Sequence, residues 1–212
     1  MKKINLTIIV ALWSLTTYAQ LSGSLRAGSS THSDDLITID SSSPLFHYYV
    51  GVGYRFFEDE HISVIPKIIF DKSGFKNTLF FLDDNLNIIP ADFTTKLYSV
   101  GSELEVEIKF FNPEKKFNVY ASPFASYRKL FKSQTTIKSS IEDSKSNELL
   151  DNDKIFDWGL EVGVIYNQFK FGLFYRDILN KSSRGNSSFV ITRAFGINVS
   201  YILNLKTKSK EE

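Results

Sequence analysis

The 212-residue sequence contains no cysteine. Disulfides and thiolate metal sites are therefore excluded, even in an exported protein whose oxidising surroundings would permit disulfides. Neither sign of charge is in excess, because 25 basic residues stand against 24 acidic ones. This balance gives no reason to predict nucleic acid or an anionic surface as a partner. Beyond residue 19 the sequence also lacks an apolar run of the roughly 20 residues that a membrane helix needs.

Residues 1–19 have the layout of a secretory signal peptide. Two lysines precede an apolar run, which gives way to small and polar residues that end at Ala19. We expect cleavage between Ala19 and Gln20; an uncleaved anchor is the alternative, but several polar residues interrupt the run. The removed segment would take away two lysines and no acidic residue, so the exported chain would carry a net charge of about −1.

Aromatic residues are abundant. They make up 15% of the chain, with 19 Phe and 10 Tyr, while the mean hydropathy of −0.13 shows no overall hydrophobic excess. An all-β protein that distributes its apolar residues by alternation has this composition. Alternation with the period of a β-strand recurs in eight segments, which are residues 21–28, 45–57, 62–71, 95–111, 117–129, 155–166, 169–176 and 189–203.

The connections between these segments alternate between long and short. The long ones are polar and cover residues 29–44, 72–94, 130–154 and 177–188, whereas the short ones are residues 58–61, 112–116 and 167–168. Long loops on one side and tight turns on the other are typical of outer-membrane barrels. The pattern predicts one domain, residues 20–205, that forms an eight-stranded antiparallel up-and-down transmembrane β-barrel with short periplasmic turns and long extracellular loops. A short polar tail, residues 206–212, follows.

The segment YSVGSELEVEIKFF, residues 98–111, shows how the two faces differ. Three glutamates and a lysine alternate with Leu, Val, Ile and Phe. A soluble sandwich or lipocalin-like barrel would also alternate, with its apolar face inward and its charged face in water. The polar face here includes many glycines, which suits a narrow, crowded interior. These glycines are Gly28, Gly51, Gly53, Gly101, Gly159, Gly163, Gly172 and Gly196.

A polar interior would bring charges of both signs into one lumen. The candidates are Arg26, Arg55, Lys67, Glu103, Glu105, Glu107, Lys109, Arg128, Glu161, Lys170 and Arg176. Since burying an unpaired ion costs several kcal/mol, we predict that they form a salt-bridge network that fills the barrel. A conducting or gated pathway is the alternative.

Aromatic residues gather at both ends of the predicted strands, as the two girdles of a membrane barrel do. The set near the short turns is Tyr54, Phe56, Phe57, Phe110, Phe111, Phe117, Tyr166, Phe169 and Phe171, and the set near the long loops is Phe46, Tyr48, Tyr127, Phe131, Phe156, Trp158 and Tyr175. Pro66 and Pro123 fall inside predicted strands, where each removes a ladder hydrogen bond, so they are expected at bulges or mark misplaced strand boundaries.

Three stretches carry a family resemblance: the start MKKI...TTYAQ, the hairpin DWGLEVGVIYNQFKFGLFYRD and the ending AFGINVSYILNLK. They resemble the outer-membrane β-barrel proteins of Bacteroidota-type bacteria, a group that includes PorT-like proteins. The resemblance implies insertion by the barrel assembly machinery. Gly196, Val199 and Tyr201 match the insertion signal of such barrels, although Ala194 occupies its polar position and the chain continues past the last strand.

Signals for chemistry are few. His32 is followed by Ser33 and two aspartates, which could form a nucleophilic site of a lipid-modifying enzyme but sit in a polar loop. The acidic clusters at residues 83–84 and 151–153 lack the spacing of an EF-hand. We therefore expect a non-enzymatic outer-membrane protein without cofactor or metal, with a structural or interaction role. Membrane lipid and other envelope proteins are its expected partners, nucleic acid is not, and a secretion or gliding component is the alternative role.

Overall fold

The computed structural model describes residues 20–32, 43–57, 60–82, 88–113, 115–139, 143–148, 154–178 and 192–203. They form nine strands: β1 (Gln20–His32), β2 (Ser43–Arg55), β3 (Ile62–Leu82), β4 (Ile88–Lys109), β5 (Phe117–Ser139), β6 (Asp143–Glu148), β7 (Lys154–Tyr166), β8 (Phe169–Ile178) and β9 (Thr192–Leu203). Within these ranges no helix is long and apolar enough to cross a membrane.

Eight of the strands close into an antiparallel up-and-down barrel, as the sequence predicts. Each pairs with its neighbour along the chain, and β1 closes the ring by pairing with β9. The remaining strand, β6, lies outside the ring and pairs only with the outer part of β5, Ser133–Lys138. β7 continues along the same edge of β5 from Lys129 to Phe117, so β6 adds a short hairpin and leaves the ring at eight strands.

The outer wall of the barrel is apolar. Along β4, for example, Leu104 is 50% exposed between two buried glutamates, and on β3 Ile68 is 73% exposed. Soluble monomers rarely expose contiguous apolar patches of more than a few hundred Å². A continuous apolar wall around a polar interior is instead the arrangement of a barrel surrounded by lipid.

Three strands are longer than the sequence pattern predicts. Residues 72–94 and 130–154 were expected to be mostly loop, but β3, β4 and β5 run on through much of them and β6 lies within the second. The boundaries were wrong because the prediction followed apolar-polar alternation, whereas pairing depends on backbone hydrogen bonds. Beyond the lipid both sheet faces can be polar, so the ladder continues after the alternation fades. The result is a four-stranded sheet that projects past the rest of the barrel, which we call the projecting sheet (residues 77–82, 88–94, 134–139 and 143–148).

The two strand prolines lie in gaps of the ladder and not at bulges. Around Pro66 the pairing of β2 with β3 lapses after Gly53 and resumes in the same register at Phe56. Around Pro123 the pairing of β4 with β5 lapses in the same way, again without a register shift. Both rings point outward, so the missing N–H groups are accommodated with little disturbance of the barrel.

Two register shifts occur elsewhere, both near the long-connection end. One lies between Pro44 and Tyr48 in the pairing of β2 with β3, where Leu45, Phe46 and Tyr48 put apolar side chains on both faces of the strand. The other lies at Tyr98/Ser99 of β4, opposite the stretch of β5 that contains Phe131. Sequence alternation specifies register poorly where both faces are apolar, which accounts for the first shift.

At the opposite end, tight turns join the strands. Asn167 begins the two-residue turn between β7 and β8 with a φ of 53°, a left-handed conformation that asparagine tolerates better than most residues. The turn between β4 and β5 is held by Asn118, whose side chain accepts a hydrogen bond from the Phe111 backbone N–H and donates to the Phe111 and Asn112 carbonyls. We call this end the short-turn end.

Outward-facing aromatic rings occupy both ends of the wall. Near the short turns, the Phe169 ring centroid lies 6.2 Å from that of Phe171 and 5.1 Å from that of Tyr201. Near the long connections, the ring centroids of Tyr127 and Phe156 are 4.8 Å apart. These positions follow the two girdles that the sequence predicts, and they delimit the apolar belt between them.

Candidate functional site

The charged interior is the candidate site, because it holds the largest group of ionisable side chains that strand geometry brings together. All eleven charged residues assigned to the interior from sequence point inward and are buried in the structure. Successive inward positions of β4 supply Glu103, Glu105 and Glu107, since side chains two residues apart share a face. Their basic partners come from other strands, both the adjacent β3, with Lys67, and more distant strands such as β1 and β8, with Arg26 and Lys170.

Glu105 occupies the centre of a charge network in the half of the interior nearer the short-turn end, which we call the lower network. One carboxylate oxygen accepts a hydrogen bond from the Lys170 ammonium on β8, and the other accepts one from the Lys67 ammonium on β3. The second oxygen also lies 3.5 Å from Nη2 of Arg26 on β1. One carboxylate thus links three cations from three strands across the lumen.

Arg26 lies above this point and is 2% exposed. Its Nη1 donates to Oε2 of Glu103 at 2.7 Å, and its Nε donates to Oε2 of Glu161 at 3.1 Å. The guanidinium also packs on aromatic rings, 4.6 Å from the Tyr49 centroid and 4.2 Å from the Phe124 centroid. Stacking and forked hydrogen bonding together suit arginine and not lysine at this position.

Three further hydrogen bonds belong to the lower network. Glu161 accepts hydrogen bonds from the Tyr120 hydroxyl at 2.6 Å and from the Asn198 amide at 2.8 Å. Nearer the short turns, Arg55 donates to Glu107. Buried carboxylates with several donors of this kind are held in one orientation.

A second, upper network lies on the far side of the aromatic rings. Asp71 accepts hydrogen bonds from Arg128 Nη1 at 2.6 Å and Arg176 Nη1 at 2.8 Å, and its Oδ1 lies 2.6 Å from Nε2 of His47. Arg128 also donates from Nε to Asp157 at 2.6 Å. The positive charges of two arginines therefore balance the negative charges of two aspartates within this layer.

Asp71 and Asp157 were absent from the network predicted from sequence. Asp71 lies two residues after the inward-facing Ile69, and Asp157 lies four residues before the inward-facing Glu161. The strand period alone therefore assigns both to the interior. His47 of β2 also faces inward and is buried beside Asp71.

The interior is closed to water along the part of the chain that the structure describes. Glu105, Glu107 and Glu161 are each 0% exposed, although a passage wide enough for a water molecule would leave its lining accessible. Above the upper network, the buried side chains of Leu97, Leu130 and Ile155 form an apolar layer. Eight-stranded barrels are narrow enough for side chains to fill them in this way.

This arrangement offers little for catalysis. Each interior carboxylate described above is paired with a cation, so none is available as a free acid or base. Within the described ranges, no group of three or more His, Asp or Glu side chains is placed to hold a metal ion. The acidic clusters at residues 83–84 and 151–153 and the Ser33–Asp35 stretch lie outside the described residues, and so does the side chain of His32.

The predicted insertion signal lies on β9, which closes the ring. Gly196 and Val199 pair with Gly28 and Leu25 of β1, and Tyr201 pairs with Phe169 of β8. Val199 and Tyr201 face the lipid side, as a recognition sequence of alternating hydrophobic residues would. Gln20, next to the predicted cleavage site, begins β1, whereas residues 1–19 lie outside the described part of the chain.

No protein-family model and no curated protein matches this chain. Three solved structures, all of outer membrane β-barrel proteins, resemble its fold. Neisserial surface protein A (NspA) is 16% identical with a TM-score of 0.48, covering 86% of this chain and 97% of that one. Ail, the attachment invasion locus protein of Yersinia pestis, solved with the heparin analogue sucrose octasulfate, is 13% identical with a TM-score of 0.43, covering 87% and 99%. The N-terminal β-barrel domain of Pseudomonas aeruginosa OprF is 7% identical with a TM-score of 0.39, covering 88% and 98%. At these identities the likeness concerns the fold alone.

Proposed function

We propose that this chain is a non-enzymatic outer-membrane barrel with a structural or interaction role, closed by its interior charge network. The observation that carries the proposal is the burial of the charges in both networks, from Glu107 near the short turns to Asp71 near the long connections, with none of them more than 5% exposed. A pore needs an accessible lining, and a hydrolase needs an accessible acid, base or nucleophile. The described interior supplies neither.

Planar-bilayer recording of the purified protein tests closure. A closed barrel gives no ion-sized conductance steps over a range of voltages. A useful comparison is Arg26→Ala, which removes the side chain that spans from Glu103 to Glu161 and packs on two aromatic rings. Discrete steps from the wild-type barrel would overturn the proposal, whereas steps from the variant alone would support the plugging role of Arg26.

An interaction role is favoured by the projecting sheet. Its four strands extend beyond the rim. Its outward side carries polar pairs, with Thr78 donating to Asp92 at 2.7 Å and Gln134 donating to Asn147 at 2.9 Å, and it also exposes Phe80 and Ile88. Replacing residues 78–92 by a short turn removes one hairpin and leaves the membrane-crossing part of the ring intact. A barrel that still folds but no longer associates with envelope proteins would support this role, whereas unchanged association would place the contacts elsewhere.

Export and insertion belong to the same proposal. Cleavage between Ala19 and Gln20 would release the chain into the periplasm, and the assembly machinery would recognise Gly196, Val199 and Tyr201 on the closing strand. N-terminal sequencing of the membrane-extracted protein tests the cleavage site, and a product that begins at residue 1 would refute it. The PorT-like resemblance adds a finer proposal, a role in a secretion or gliding apparatus, which a deletion strain with normal secretion and motility would contradict.

A lipid-modifying activity is the less favoured alternative. It depends on His32 and the residues that follow it in the sequence. A His32→Ala variant that loses turnover of membrane lipid would revive it, and equal lipid composition in wild-type, variant and deletion strains would eliminate it.

A further inference from the structure

A groove crosses the outer wall of the barrel in the half nearer the short-turn end. It spans four adjacent strands of the ring, β5, β7, β8 and β9, and has a volume of about 720 Å³. Pockets that hold small organic ligands measure roughly 300–1,000 Å³. The groove is therefore large enough to be a binding site.

The register of the strands explains where the groove lies. Its floor includes the backbone of four inward-facing residues paired in succession across the strands, which are Tyr120, Gly163, Gly172 and Asn198. Gly163 and Gly172 are directly paired and have no side chain, so the wall can lie close to the interior at this point.

The lower network supports this floor from inside the barrel. The Tyr120 hydroxyl is the atom nearest to the inward side of Gly172, and it donates to Oε1 of Glu161 at 2.6 Å. The Lys170 Nζ lies 4.3 Å from the centroid of the Tyr120 ring. These contacts hold Tyr120 in place, so the shape of the floor does not depend on a bound molecule.

Side-chain size gives the groove its depth. Ala121 is small and half-buried, whereas Leu173 and Phe110, which also line the groove, are 64% and 60% exposed. Phe110 and Phe171 belong to the aromatic girdle at the short-turn end. The groove therefore adjoins that girdle and lies within the leaflet at the same end.

The chemistry of the lining favours an apolar occupant. Every outward-facing side chain that lines the groove is Ala, Val, Ile, Leu or Phe, and Tyr120 and Asn198 direct their polar groups to Glu161 inside the barrel. A polar ligand would lose its hydrogen bonds to water here without replacing them. The groove is also continuous with the apolar belt, whose neighbours are the acyl chains of the membrane.

A second copy of the chain fits this groove poorly. A two-fold dimer pairs the same surface patch of both subunits, so two hollows would face each other. The void between them would forfeit packing contacts. A flexible acyl chain can instead follow the groove and fill it.

We propose that the groove binds one acyl chain of a phospholipid in the membrane leaflet at the short-turn end. Lipid chains are as apolar as the wall, so the preference for this position over the rest of the belt comes from van der Waals packing. This inference rests on the proposed membrane location but not on closure of the interior.

Native mass spectrometry of the folded barrel detects a retained lipid. The protein is folded into vesicles of palmitoyl-oleoyl phosphatidylethanolamine and phosphatidylglycerol, transferred to detergent, and measured as the detergent concentration is raised. One phospholipid should remain on the wild-type barrel after the others are removed, with either headgroup, because the groove recognises the chain. Ala121→Phe fills the groove and should lower the retained fraction about fivefold, the equivalent of on the order of ten lost carbon contacts.

A second variant and a matched control complete the design. Leu173→Ala removes one edge of the groove without adding bulk, and it should lower retention as well. Val52→Phe, on β2 opposite β7 across the ring, should retain lipid as the wild type does. Val52 lies at the same distance before the turn residue Phe57 as Val162, which pairs with Ala121, lies before the turn residue Asn167.

Three results would overturn the inference: no retained lipid on the wild-type barrel, equal retention in the wild type and both groove variants, or retention of one headgroup only. A dimer that Ala121→Phe converts to a monomer would assign the groove to a second copy and would overturn it too. Heat-dependent gel mobility is measured on every sample. A barrel that folds in vesicles but keeps no lipid contradicts this inference alone, whereas a chain that does not enter vesicles contradicts the membrane location itself.

Discussion

Replacing Glu105 tests the lower charge network at its centre. Glu105→Leu removes the carboxylate that links Lys170, Lys67 and Arg26, and it leaves the interior with one more uncompensated positive charge. Removing one partner of a buried ion pair costs about 3–5 kcal/mol of unfolding free energy.

The remaining contacts decide where in that range the variant falls. Lys170 keeps Glu161 at 3.3 Å, and Lys67 keeps Glu103 at 3.4 Å. Arg26 keeps both of these glutamates, at 3.1 Å from Glu161 and 2.7 Å from Glu103. Because every cation retains one carboxylate, we expect a loss near the lower limit, about 3 kcal/mol.

Urea unfolding of the barrel in lipid vesicles, followed by tryptophan fluorescence and gel mobility, measures the loss. Two controls sharpen the result. Glu60→Gln in an exposed turn should stay within about 0.5 kcal/mol of wild type. Glu105→Leu/Lys170→Met restores the charge balance and should recover much of the loss, because replacing both partners of a buried pair by apolar residues is often neutral. A single variant as stable as wild type would show that water reaches this face, and the reasoning would be refuted.

Three other perturbations test different parts of the structure. Gly163→Ala should lower the free energy of unfolding by about 1–3 kcal/mol, because the added methyl would lie 2.6 Å from the Gly172 Cα. Gly23→Ala is the control and should be near neutral, because its added methyl meets nothing within 4 Å. Equal urea midpoints for the two variants would contradict this. Asp71→Asn should cost about 3–5 kcal/mol by weakening the upper network, and an unchanged midpoint would show that this network is dispensable. Deleting residues 195–203 removes most of β9, which pairs with β1 and β8, so the protein should not enter the membrane fraction; normal insertion would refute the closure of the ring.

The alternation of apolar and polar residues was enough to predict the eight-stranded barrel and which face of each strand points inward. Three alternating glutamates in residues 98–111 could form an acid-base or metal site, but the strand period puts them on one face. The aromatic girdles mark the opposite face as the lipid-facing one, so the glutamates are expected to point into the barrel. The structure agrees, with Glu103, Glu105 and Glu107 buried between outward-facing Leu104 and Val106. Physical chemistry explains the success, because a barrel in lipid must place one parity of every strand against hydrocarbon.

Alternation could not supply the pairing partners or the strand ends. Lys170 meets Glu105 from 65 positions away, and the stagger between strands that brings them together is a property of the closed ring. The projecting sheet was missed because backbone hydrogen bonds extend β3, β4 and β5 where the side chains no longer alternate. Asp71 was missed for the same reason. The alternating segment ends at residue 71, so Asp71 was not counted as an interior residue, whereas β3 continues to Leu82.

The central claim is that this chain is a closed β-barrel that resides in the outer membrane. Gel mobility of unheated against heated protein, measured on separated membrane fractions, tests it most directly. The account predicts a protein confined to the outer-membrane fraction whose unheated form migrates differently from the heated form, because the barrel remains folded in detergent until heated. A soluble periplasmic protein with a single, heat-independent band would contradict it.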